Sequence, residues 1–188
     1  MKKIAFIGVK VYAIALYVEA QLAAKELGVR DRGGFFENND DYCSALVDGA
    51  FVKALDIELV RDVDGQQFVE ALDEALRPRM SLSGDTSSLQ KFQDFFMNRK
   101  LTKGTVLKLV YKVDSSLDIS VKEKRPSSFE QEVPDICIES ASLSRALFEV
   151  YLGQSSIIPD AKKEWADGAR KLLESEKIRR NTRPGGSG

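Results

Sequence analysis

The sequence predicts an α+β protein, an antiparallel β-sheet with helices layered on one face. Three observations carry this. Strand patterns and helix patterns do not alternate strictly along the chain: the order reads strand, helices, strand, two helices, three strands, two helices. Two strand patterns, residues 105–112 (TVLKLVYK) and 117–122 (LDISVK), are separated by a four-residue turn, which joins antiparallel neighbours. One strand pattern, residues 51–60, has two unequal faces, as expected when only one side of a sheet is buried.

The elements follow in order. Residues 8–19 (GVKVYAIALYVE) form a long apolar run rich in β-branched and aromatic residues, which predicts a buried strand leading toward a helix. Residues 18–27 (VEAQLAAKEL) carry a helix pattern, with Gly28 placed to end it. Residues 41–48 predict a short helix stopped at Gly49. In 51–60 (FVKALDIELV), Phe51, Lys53, Leu55, Ile57 and Leu59 share one face, and Val52, Ala54, Asp56, Glu58 and Val60 the other.

Asp64 followed three residues later by Gln67 resembles a capping box. The helix behind it carries Phe68, Val69, Leu72, Ala75 and Leu76 on one stripe, and Pro78 is expected to stop it. Residues 87–98 repeat the pattern with Leu89, Phe92, Phe95 and Phe96. After the hairpin, residues 135–139 (DICIE) predict a short strand, and 142–152 an apolar helix ended by Gly153. Pro159 and Asp160 open a last helix bearing Trp165, Ala169, Leu172 and Leu173. No internal repeat interrupts this, so residues 1–175 are expected to form a single domain, with 176–188 a disordered basic and Gly/Ser-rich tail.

Composition excludes several functions. The 188 residues include 43% apolar and 30% charged residues, an ordinary globular balance. A net charge of -1 gives no global field for nucleic acid, and the basic residues Arg179, Arg180 and Arg183 lack the interleaved aromatics of a nucleic-acid platform. The chain has no histidine, which removes Ser–His and Cys–His nucleophile pairs and imidazole metal sites. Cys43 and Cys137 lie far apart and are expected to be buried thiols, too few for a zinc site. No metal, cofactor or catalytic residue is expected. No apolar run reaches membrane-span length, and no secretory leader or transit peptide is visible. Oligomeric state is not legible.

Tyr12 draws attention because a phenol removed from water needs a partner, either another protein group or a ligand. The stripe of Phe68, Leu72 and Ala75 reads as helix–sheet core, and a ligand tunnel is a special case of the same pattern, distinguished only by unfilled volume. Val150 and Tyr151 read as packing or pocket wall, and the Phe92, Phe95 and Phe96 cluster as core. The acidic pairs Asp40/Asp41 and Asp73/Glu74 read as solvated.

Residues 8–19, the strand 51–60 with its following helix, and 139–163 (ESASLSRALFEVYLGQSSIIPDAKK) together resemble the chalcone isomerase fold family, from Ile4 to about Leu173. Within it, VYAIALYVE and FEVYLG are more similar to the non-catalytic plastid fatty-acid-binding proteins than to the flavonoid enzymes. The resemblance implies an open sandwich with the ligand between sheet and helices, and residence in a plastid stroma. The isomerases of this family stabilise a developing enolate oxygen with converging polar groups. Carried onto this chain, their first threonine falls on Tyr12, their tyrosine on Phe68, their lysine on Ala71, their asparagine on Ala75, and their late-helix hydroxyl on Val150. Only Tyr12 keeps a donor. In the fatty-acid-binding relatives, a tyrosine at the Tyr12 position and an arginine on the preceding strand hold the carboxylate. That arginine would fall at or just before Met1, so this sequence is expected to lack it.

The resulting expectation is a non-catalytic binder of a fatty acid or a similar small amphipathic carboxylate, contacted by Tyr12, Phe68, Ala71, Leu72, Ala75, Val150 and Tyr151. Two further readings stay open: a non-catalytic protein binding partners or polyketide intermediates, and a true isomerase with a rearranged site.

Overall fold

The computed structural model describes residues 12–123 and 133–182. They belong to two compact units, one drawn from Met1–Tyr17 and Val52–Leu147, the other from Val18–Phe51 and Phe148–Gly188. The class is the expected one: antiparallel sheet with helices.

The first unit holds a five-stranded sheet. Its strands are β1 (Tyr12–Val18), β2 (Lys53–Leu59), β5 (Val106–Tyr111), β6 (Ser116–Lys122) and β7 (Ile136–Glu139), in the order β1-β2-β5-β6-β7. A two-stranded ladder pairs β3 (Val63–Asp64) with β4 (Lys100–Leu101). Pairings from β2 to β7 are all antiparallel. The register aligns Leu55 with Leu109 and Ile119, and Lys53 with Tyr111, Leu117 and Ile138. Because side chains alternate, this row pattern builds one apolar, buried face. The other face carries the row Asp56–Lys108–Ser120 and, one step along, Asp118 beside Cys137. The β2 alternation therefore reads as the sequence predicts. The β5–β6 turn closes with Lys112 and Ser116 paired backbone to backbone and Ser115 at φ 69. Residues 8–11 of the opening run lie outside the described residues.

Two helices of this unit pack on each other: α3 (Gly65–Met80) and α4 (Thr86–Met97), with α4 also against β7. Asp64 caps α3 by accepting from the Gln66 amide at 2.9 Å, an N-cap without the reciprocal Gln67 bond of a capping box. Contrary to expectation, Pro78 does not stop α3. It lies one turn from the end, where its missing N–H costs a single bond, and the backbone bond from Ser81 to Arg77 closes the last turn. Gly65 is buried where α3 starts against the end of α4: its amide donates to Arg99 O at 2.9 Å, and a Cβ there would sit 1.9 Å from Phe96 O. Asp85 caps α4 through the Ser88 amide at 3.2 Å. The same carboxylate accepts from Ser140 Oγ at 2.5 Å and Ser142 Oγ at 3.2 Å. Ser140 Oγ in turn accepts from the Leu143 amide at 3.0 Å, capping α5 (Ala141–Leu152), which passes from the first unit into the second.

The second unit is helical: α1 (Ala20–Arg32), α2 (Asn39–Asp48), the end of α5 and α6 (Pro159–Thr182). Both α1 and α2 pack on α6, and Ala23, Ala24 and Leu27 of α1, Cys43, Leu46 and Val47 of α2, and Ala166, Ala169 and Leu173 of α6 are buried. Three expectations are corrected here. Gly28 does not end α1: it is buried within the helix face, and the stop comes at Gly33. The tail is not disordered from residue 176: α6 continues to Thr182, with Lys177 bound to Asp31 at 2.7 Å and Arg179 to Glu176 at 2.8 Å. Residues 183–188 lie outside the described residues. Asp40 is not merely solvated: it meets the buried Lys162 ammonium at 2.5 Å, and that ammonium also donates to Gly153 O at 2.9 Å. Asp41 accepts from the Glu37 and Asn38 amides as part of the α2 capping box.

Candidate functional site

The helix that carries most of the expected site is α3. Its periodicity buries Phe68, Leu72 and Ala75 and leaves Ala71 half-buried at the edge of the same stripe. Phe68 meets Phe96 of α4 edge to face, with ring centroids 5.0 Å apart, and Phe96 in turn meets Phe92 at 5.1 Å and Phe95 at 4.8 Å. Phe92 and Phe96 are thus core, as expected, with Phe68 against Phe96, whereas Phe95 is only half-buried, with the Arg99 guanidinium 4.1 Å from its ring centroid. On the outer side of α3, Asp73 is held by Arg77 at 2.8 Å and by Gln93 Nε2 of α4 at 2.7 Å, so this carboxylate stitches two helices together.

Tyr12 stands at the start of β1, at the sheet end opposite β7, and is half-buried. Burial raises its pKa above the usual 10. The phenol therefore stays neutral through physiological pH and offers a donor rather than a charge. Val150 and Tyr151 belong to the second unit and are almost fully buried. Their carbonyls hold the following turn: Val150 O accepts from the Ile157 amide at 3.1 Å, and Tyr151 O from Ser156 Oγ. The first unit thus contains Tyr12, Phe68, Ala71, Leu72 and Ala75, and the second Val150 and Tyr151.

The alternation in residues 51–60 places Lys53 on the apolar side, but its depth emerges only from the structure. It is 3% exposed, with Nζ 4.8 Å from the centroid of the Tyr111 ring directly across on β5. An aromatic face is one of the few apolar surroundings that favour a cation. On the opposite face, Lys112 binds Asp118 at 3.1 Å, and this bond raises the lysine pKa. Cys137 lies beside them and is exposed, contrary to the expected burial. Asp118 pushes its thiol pKa up, which makes it a poor nucleophile. Cys43 is buried, with its pKa raised to about 11, chiefly by burial. Among the described residues, no group of three or more acidic, cysteine or histidine side chains is placed to hold a metal. No helix among them is long and apolar enough to cross a membrane.

An Arabidopsis thaliana fatty-acid binding protein has a similar structure, with a TM-score of 0.72 over 90% of this chain and 84% of that one at 16% identity. At that identity the likeness defines the fold, an open α+β arrangement of the chalcone-isomerase-like class. The sequence profile described as chalcone-flavanone isomerase matches residues 2–172, and the chain belongs to that family. Among its relatives, a chalcone–flavanone isomerase of Canna generalis is 27% identical over 88% of this chain and 76% of its own length. One of Ipomoea batatas is 28% identical over 89% and 70%.

Proposed function

We propose that this protein binds a free fatty acid, or a similar amphipathic carboxylate, without isomerase activity. The observation that carries this reading is the inner stripe of α3. The positions that the family resemblance assigns to catalytic tyrosine, lysine and asparagine are Phe68, Ala71 and Ala75, which have no proton to give and no charge to stabilise an enolate. The same stripe suits an acyl chain. About twelve methylenes would contribute roughly 10 kcal/mol of gross burial, less the cost of ordering the chain. The neutral Tyr12 hydroxyl then donates to the carboxylate at the polar end. Residence in a plastid belongs to the same reading and rests on the family resemblance.

Native mass spectrometry of the purified protein, followed by denaturing extraction, tests this directly. A stoichiometric fatty acid is the expected finding. Tyr12→Phe is expected to weaken fatty-acid affinity about ten-fold, the value of a hydrogen bond to a charged group; unchanged affinity would remove Tyr12 from the site. Chalcone cyclisation above the uncatalysed rate would overturn the non-catalytic assignment. The seating of Phe68 against Phe96 favours a second reading, in which the stripe is filled core and the protein acts through partners. A folded protein that takes up no fatty acid would select it.

A further inference from the structure

We propose that α1 docks the protein on an anionic lipid surface through the stripe Leu22, Lys25, Val29 and Arg32, extended by Phe35. The buried face of α1 is spent on Ala23, Ala24, Leu27 and Gly28. At 100° per residue, positions 22, 25, 29 and 32 fall together on the far side. There Leu22 is 38% and Val29 56% exposed, with the exposed bases Lys25 and Arg32 interleaved. Phe35, 68% exposed, continues the line: its ring lies against Gly33, one turn beyond Val29, with Cε2 2.4 Å from where a Gly33 Cβ would stand.

Three large apolar side chains left in water along one line are more than scattered surface residues explain. The charges select the occupant. The two acids of α1 are turned to other tasks: Glu26 accepts from the Ala50 amide at 3.0 Å, and Asp31 binds Lys177. The stripe itself therefore presents only basic and apolar groups, although the whole chain is at -1. Interleaved Lys/Arg and Leu/Val/Phe on one helix face suit phospholipid headgroups, with bases at the phosphates and apolar tips at the acyl boundary. This rests on the fatty-acid reading for its purpose, since a membrane is where such a ligand is taken up or delivered. It does not rest on it for the binding itself.

Co-sedimentation with vesicles tests it, using the full chain. Vesicles of phosphatidylglycerol and phosphatidylcholine in equal parts should bind the protein, and phosphatidylcholine alone much less. Lys25→Glu/Arg32→Glu should weaken binding at least ten-fold, since each base near an anionic surface is worth about five-fold. Val29→Asp/Phe35→Ser should weaken it similarly, while Leu82→Asp, at an apolar residue 98% exposed outside the stripe, should change nothing. Thermal melting checks that each variant is folded. Equal binding to both vesicle types, wild-type binding by the charge-reversed variant, or a stripe that changes self-association instead would overturn the proposal. Fatty-acid loading is measured on the same samples. A protein that loads fatty acid but ignores vesicles defeats this inference alone, and one that binds vesicles but never loads defeats only the proposed function.

Discussion

Replacing Gly65 with alanine is expected to destabilise the fold by about 2–4 kcal/mol, a large loss for one added methyl group, caused by a backbone collision. The new Cβ would stand 1.9 Å from Phe96 O and 2.7 Å from Arg99 O. A carbon and an oxygen need more than 3 Å, so the start of α3 must move away from the end of α4 by over an ångström. Both partners are backbone, so no rotamer change relieves the clash. The shift breaks the 2.9 Å bond from the Gly65 amide to Arg99 O, worth about 1 kcal/mol. It also loosens the Phe68–Phe96 contact, where a poorly matched core typically loses another 1–3 kcal/mol. Urea unfolding of the variant and the parent measures the difference, and a fatty-acid titration reads whether α3 keeps its inner stripe in place. Stability within about 0.5 kcal/mol of the parent, the range of ordinary surface substitutions, would refute the close-approach argument.

Gly168, inside α6, provides the opposite sign: nothing lies within 4 Å of its missing Cβ, so Gly168→Ala should stabilise by about 0.5–1 kcal/mol through helix propensity and a less flexible unfolded chain, read as a higher midpoint in the same urea series. Acid should weaken the Asp85 junction in a defined window. The hydrogen bond from Ser140, more than any other group, lowers this carboxylate from 3.8 to about 2. A depressed carboxylate pKa contributes its full stability above the unfolded value and loses it as pH falls through the folded one. The contribution is about 1 kcal/mol after discounting the shift for solvent screening. Asp85→Asn should therefore lower stability by that amount at neutral pH, and the gap should close between about pH 4 and pH 2. A pH-independent gap would mean that the charge is not what the serines and the α4 amide bind.

Local chemistry made much of the fold legible. The β2 faces, the hairpin turn and the cap at Asp64 each depend on residues within a few positions of one another, and each appears where the pattern puts it. What stayed hidden depends on distant partners. The β3–β4 ladder joins Val63 to Leu101, and two-residue strands carry no period to read. Gly28 and Pro78 look like stops because each is a poor helix residue, yet packing of α1 on α6 and the nearness of the α3 end outweigh local propensity. The last turns of α6 have a disordered tail's composition, but Asp31, far away in sequence, holds them through Lys177. In the candidate site, the α3 stripe was readable because burial follows the helical period. The edge-to-face contact of Phe68 with Phe96, the depth of Lys53 and the placement of Val150 and Tyr151 in the second unit were not, since each is set by tertiary neighbours.

The division of the chain into interleaved segments has a consequence for its synthesis. Residues 18–51 emerge from the ribosome long before residues 148–182, the segment they fold with. At about 5–20 residues per second, α1 and α2 wait roughly ten seconds for α6. Throughout that time α1 and α2 lack the helix they pack on in the finished fold. The helical half of this protein is therefore the part most dependent on chaperone protection during translation, and slowing the ribosome between codons 52 and 147 should lower the yield of folded protein more than slowing it anywhere else.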